Sequence, residues 1–137
     1  MNIQGKMIFD KETHLYSVSV PLLGLWTQGE NFEEGFLMAE DGLKMLYPDI
    51  AFELHWLEKE VGTFFVSSGD KKLVSIILKE ARLASEMSLM EVAKKLGYKN
   101  QNSIYAYESG AREPSIGKFQ ELLSAYGVSI DMHKEVA

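Results

Sequence analysis

The sequence contains no cysteine. That absence excludes disulfides, cysteine-ligated metals and thiol catalysis, and it fits a reducing compartment. The first residues show no basic stretch running into an apolar core, so no secretory signal is expected. No apolar run approaches the roughly 18–20 residues that a membrane span needs. The expectation is a soluble, cytoplasmic protein. There is no repeat or low-complexity segment, no phosphate-cradling glycine loop, and no serine or cysteine nucleophile constellation. His14, His55 and His133 are scattered without metal-ligand spacing. Asp10, Glu12 and Glu34 are of the right type for two-metal nuclease chemistry, yet no spacing gathers them. A non-enzyme with no metal and no cofactor is expected.

The 137 residues are 46% hydrophobic and 11% aromatic. A packed core is therefore within reach, and the length suits one ordinary domain or two small ones. Positive charge is scarce overall, with a net charge of −6. Its distribution is uneven. Residues 1–69 carry 4 Lys/Arg against 11 Asp/Glu, a balance of −7. Residues 70–127 carry 9 against 7, a balance of +2, and residues 128–137 carry 1 against 2. An acidic half joined to a mildly basic half suggests two partners of opposite charge. An acidic surface that merely keeps a small domain soluble is the other reading.

The amino-terminal half alternates. Met7 and Phe9 face one way, Ile8 and Asp10 the other, and Tyr16, Val18 and Val20 repeat with period two up to Pro21. This is a β-hairpin pattern. Gly24 and Gly29 bracket a short strand at Trp26-Thr27-Gln28. A helix opens at Asn31 as N-cap, with Glu34 placed to return a bond to the Asn31 N–H. Phe32, Phe36, Ala39, Leu43 and Leu46 form its apolar stripe, and Pro48 ends it. Phe52, Leu54 and Trp56, then Gly62, then Thr63–Ser67 read as a second hairpin. His55 falls on the outer face of that hairpin. A small sheet covered by one helix is predicted. Ser67-Ser68-Gly69-Asp70 marks a boundary, giving domains 1–69 and 70–127 and a tail at 128–137.

From Lys72 onward the periodicity is helical. Leu73, Ile77, Ala81 and Ala84 make one stripe. Ser88 and Glu91 form a capping box for a second helix that buries Leu89, Val92, Ala93 and Leu96 and stops at Gly97. A third helix is expected from about Asn100 to Ser109, with Ile104 and Tyr107 inward and Gly110 as its stop. A fourth is capped at Ser115, with Ile116, Phe119, Leu122, Leu123 and Tyr126 buried and Gly127 at its end. The class is α+β, a sheet with one covering helix followed by an all-α domain.

Two short helices joined by a glycine turn present the next helix to a major groove. Lys99, Asn100, Gln101, Asn102, Ser103 and Tyr105 cluster at the exposed start of that third helix. Asn and Gln pair bidentately with adenine, and Lys reaches guanine or phosphate. Gln101, Asn102, Ser103, Tyr105 and Lys99 are the candidates for base contact. Lys94, Lys95, Asn100 and Arg112 are those for phosphate contact. Asn100 as a helix cap, and Lys94 and Lys95 as a solvated face, are the structural alternatives. Tyr107 reads as core, and Glu108 as bonded to local backbone.

Glu91-Val92-Ala93-Lys94-Lys95-Leu96-Gly97, then Ile104, then Tyr107-Glu108-Ser109-Gly110-Ala111-Arg112-Glu113-Pro114-Ser115 resemble the Cro/C1-type (Xre) helix-turn-helix over about residues 72–127. Six residues separate Gly97 from Ile104, one more than the commonest pattern. Leu89 and Met90 stand where that family often has a DNA-contacting Gln. The resemblance implies binding to double-stranded operator DNA. Half-sites about one helical turn apart would suit a homodimer or a higher homo-oligomer.

Pro21-Leu22-Leu23-Gly24-Leu25-Trp26-Thr27-Gln28-Gly29-Glu30-Asn31-Phe32-Glu33-Glu34-Gly35 resembles the signature stretch of HicB-type antitoxins. The loop is one residue shorter, Leu22 replaces a common acidic residue, and Gly35 a common Ala. The resemblance implies a degenerate RNase H-like domain that neutralises a small basic HicA-type mRNA-cleaving toxin, with a carboxyl-terminal domain that represses the operon. Trp26, Glu30, Glu33, Glu34, Glu40 and Asp41 are the candidate toxin-binding residues. Trp26 reads equally as core, and Phe36 as core. Two other functions fit the composition. One is a ligand-responsive regulator whose amino-terminal domain senses a small molecule, and the other is a working nuclease.

Overall fold

The computed structural model describes residues 1–128. The expected tail beyond residue 128, with His133, lies outside the described residues. The chain divides into two compact units, the first ending at Asp70 and the second beginning at Lys71.

The first unit holds five strands and one helix. These are β1 (Asn2–Asp10), β2 (Leu15–Val20), β3 (Leu25–Gly29), α1 (Phe32–Leu46), β4 (Glu53–Glu58) and β5 (Thr63–Ser67). The strands form one antiparallel sheet in the order β3-β2-β1-β5-β4. β3 and β4 are therefore its edges. Period-two alternation puts Ile3, Met7, Val18, Val20, Leu25, Phe64 and Val66 in the core, while Ile8 stays exposed. α1 covers that face with Gly35, Ala39 and Leu43. Its approach to β3 is close enough to require glycine. A Cβ on Gly29 would lie 2.5 Å from the Gly35 nitrogen. An aromatic row crosses the same face, with Tyr16 against Phe32 at 4.7 Å and Phe36 against Trp56 at 4.9 Å.

Local chemistry sets the helix ends. Asn31 Oδ1 accepts from the Glu34 N–H at 2.8 Å. The Glu34 carboxylate, expected to bond the Asn31 N–H, instead accepts from the Glu30 N–H at 3.3 Å. The cap thus reaches back to the end of β3. Leu46, expected in the buried stripe, is half exposed at the last helical residue. Phe36 is half-buried in the aromatic row, as its core reading requires.

The second unit holds α2 (Lys72–Ala84), α3 (Leu89–Leu96), α4 (Asn102–Ser109) and α5 (Ile116–Ala125). Its core is Leu73, Ile77, Leu78, Ala81, Val92, Ala93, Ile104, Phe119, Leu122 and Leu123. The Ser88 capping box is complete, with Ser88 Oγ accepting from Glu91 N–H and Glu91 Oε1 from Ser88 N–H. Ser115 caps α5 through the Lys118 N–H at 3.1 Å. Two apolar expectations fail. Ala84 is exposed at the last helical residue, and Leu78, outside the predicted stripe, is buried on its flank. Ile116 is 68% exposed. At about 100° per residue it sits roughly 70° round the helix from the centre of the buried stripe.

Candidate functional site

The geometry of α3, the turn and α4 follows from a few residues. Gly97 adopts a left-handed conformation, with φ of 77°. That lets the Tyr98 N–H reach Ala93 O at 2.8 Å and the Gly97 N–H reach Lys94 O at 3.2 Å. These paired bonds end α3 and turn the chain. α4 begins at Asn102, two residues later than its composition suggests. The reason is Asn100, whose Oδ1 accepts from the Asn102 N–H at 2.9 Å and holds a turn before the helix. The extra residue between Gly97 and Ile104 is absorbed there.

Ile104 and Tyr107 anchor α4 inward. The opposite face carries Asn102, Tyr105 and Ser109, all exposed, with half-buried Gln101 beside them. By helical geometry Ser103 lies on the flank next to Tyr107 rather than on this face. Lys99 is exposed on the turn, and Lys94 is exposed on α3. Lys95 has a structural role, its Nζ donating to Ala125 O at 3.1 Å at the end of α5. Arg112 sits 5.9 Å over the Tyr107 ring, and its backbone N–H reaches Ala106 O.

One feature of α4 escaped the sequence reading. Glu108 does not bond local backbone. It accepts two hydrogen bonds from Arg82 on α2, at 2.7 and 3.0 Å. Both side chains are largely covered, 13% exposed for Arg82 and 5% for Glu108. A third Arg82 donor reaches Met87 O at 2.9 Å in the α2–α3 loop. The hydrogen bonds to Glu108 hold the guanidinium charged, above its ordinary range and against the opposing effect of burial. Arg82 therefore ties three segments together around α4. Nearby, burial is the main cause that pushes the Tyr126 hydroxyl up to about 12, and this oxygen has no hydrogen-bond partner. A second missed feature is a pocket of about 150 Å³ between the first turn of α2 and the α4–α5 loop. Lys71, Lys72 and Arg112 gather there around Tyr107.

Residues 78–132 match a family model described as helix-turn-helix. This unit is a helix-turn-helix DNA-binding domain. No curated protein and no solved structure matches the chain. Within the helix-turn-helix domain, α3 and α4 are the paired helices, and α4 is the one placed to be read against DNA.

The acidic candidates lie in the first unit. Glu33, Glu40 and Asp41 share the outer face of α1 with Leu37, which is 60% exposed, and Met45. Glu33 pairs loosely with Lys59 at 3.5 Å. Glu34 is half-buried by its bond to Glu30, and Glu30 is exposed at the end of β3. Trp26, left open between anchor and core, is 68% exposed on β3. The exposed Leu37 and Met38 were not singled out from sequence, because the stripe rule looks only for buried positions. His55 is exposed and stacks on Phe65 at 5.1 Å. Among the described residues no group of three or more His, Asp or Glu is arranged to hold a metal ion. Asp10, Glu12 and Glu34 are therefore not brought together. No helix among the described residues is long and apolar enough to cross a membrane.

Proposed function

We propose that this chain is an antitoxin and autorepressor. Its acidic first unit binds and neutralises a small basic HicA-type ribonuclease, and its helix-turn-helix domain represses the operon that encodes both. The reading includes a degenerate RNase H-like first unit without enzymatic activity, and a homodimer or higher homo-oligomer on operator DNA.

The observation that carries it is the outer surface of the first unit. Exposed Leu37 shares the outer face of α1 with Glu33, Glu40 and Asp41, and exposed Trp26 and Met38 line a groove along β3 with Glu30 and Glu34. A ribonuclease must present positive charge to RNA. An acidic surface with apolar anchors is complementary to that chemistry, and complementary fields speed association. The same charge repels phosphate, so it does not serve DNA binding. With a balance of +2 over residues 70–127, the helix-turn-helix domain is a modest phosphate binder by itself. Tight operator binding then calls for more than one copy.

Two measurements on the purified full chain test the proposal. Footprinting on the region upstream of its own gene should show protected half-sites about one helical turn apart. The adjacent reading frame should encode a small basic protein, and that protein should co-purify with the chain. An adjacent product that neither binds nor is inhibited contradicts the proposal.

A further inference from the structure

The two edges of the sheet are built differently. β4 carries Glu53 and Glu58 at its ends, and its pairing with β5 is interrupted by an irregularity between Trp56 and Glu58. Charge and bulges are how sheets protect an edge from pairing with another chain. β3 has neither device. Its sequence Leu25-Trp26-Thr27-Gln28-Gly29 has no charge and no proline, and its register with β2 is unbroken. Among the described residues, no hydrogen bond engages the Leu25–Gly29 backbone except the β2 ladder. Among the described residues, the outward N–H and C=O groups of alternate residues thus have no partner.

Along this edge runs the groove lined by Ser17, Trp26, Gln28, Glu30, Glu34 and Met38, among others. It wraps round β3 from the face bearing Trp26 and Gln28 to the face bearing Met38. Trp26 and Met38 give it apolar contact on both faces. Among the described residues its ionisable lining residues are Glu30 and Glu34, with no lysine, arginine or histidine. An edge strand with pockets on alternating sides is the geometry of strand addition, in which main-chain bonds give affinity and side chains give selectivity.

We propose that β3 is the docking edge of the inhibitor and receives an extended, basic segment of the partner protein as a sixth strand. This rests on the reading of the first unit as a binder of a basic protein. Apolar side chains of the incoming strand pack on Trp26 on one face and Met38 on the other, and a basic side chain meets Glu30 and Glu34. Among the described residues the groove's charged groups are Glu30 and Glu34 alone, and that acidic lining selects a cationic strand over a second copy of this acidic unit.

Amide hydrogen exchange on the full chain, alone and with an inactivated form of the adjacent-frame basic protein, decides the matter. Leu25–Gly29 amides should slow at least tenfold on binding, and Trp26→Ala should weaken binding by about tenfold or more. Binding that leaves Leu25–Gly29 exchange unchanged overturns strand addition while the inhibitor reading stands. Concentration-dependent protection of Leu25–Gly29 in the chain alone overturns the basic occupant in favour of a second copy. No binding at all removes the inhibitor reading, and the docking edge with it.

Discussion

Replacing Glu108 by glutamine keeps the shape of the side chain and removes its charge. Arg82 then keeps a buried guanidinium with one backbone acceptor, Met87 O, and no counter-charge. Both partners are largely buried, so solvent screens the pair little. Breaking a buried pair from one side costs about 3–5 kcal/mol. Glutamine still offers one acceptor oxygen, which places the expected loss near the low end, about 3 kcal/mol. For a unit of this size that lowers the melting midpoint by roughly 10–20 °C. The assay can separate the two units. Trp26 and Trp56 both lie before Asp70, so tryptophan fluorescence reports the sheet unit. Far-UV circular dichroism is weighted towards the four helices of the second. The dichroism transition should move and the fluorescence transition should not. Replacing both partners by Met and Leu should recover most of the loss, because an apolar pair leaves no orphaned charge. A shift below about 0.5 kcal/mol for Glu108→Gln would refute the claim that this pair holds α4 in place.

Three further outcomes are expected. Gln101→Ala or Asn102→Ala should cost about 1–3 kcal/mol at the specific operator and relax its sequence preference, whereas Lys94→Gln or Arg112→Gln should weaken binding to all sequences and flatten the salt slope by about one, both read by titration at several salt concentrations. Ser88→Ala should lose about 1 kcal/mol in urea denaturation through the capping box. Tyr126 has a folded value raised to about 12. The unfolded chain therefore releases this proton first, near the ordinary value of about 10. Stability of the helical unit should fall as pH rises from about 10 towards 12, and Tyr126→Phe should remove that component and be neutral or stabilising at neutral pH.

The elements governed by local chemistry were legible in the sequence. Asn31, Ser88 and Ser115 cap their helices because a short polar side chain meets the free N–H groups of a first turn. Gly97, Gly110 and Gly127 end theirs in left-handed conformations. Strand alternation separated Met7 from Ile8, and Val18 from Ser17. Errors arose where the outcome depends on distant residues. Periodicity assigned Leu46 and Ala84 to apolar stripes, but each stands at the last residue of its helix and is exposed. Glu108 looked local because its partner, Arg82, lies 26 residues away with no motif joining them. Lys95 also has a distant partner, the Ala125 carbonyl, 30 residues along the chain. Trp26 sits in an alternating segment, and pattern alone does not tell which face of an edge strand is covered.

Inhibition of an RNA-cleaving partner tests the central claim most directly. The full chain would be titrated against the product of the adjacent reading frame, with cleavage of a labelled RNA as readout. Stoichiometric suppression is predicted, weakened by added salt and by Trp26→Ala and left intact by Gln101→Ala. Cleavage that continues undiminished at a molar excess of the folded, DNA-binding chain would contradict the account.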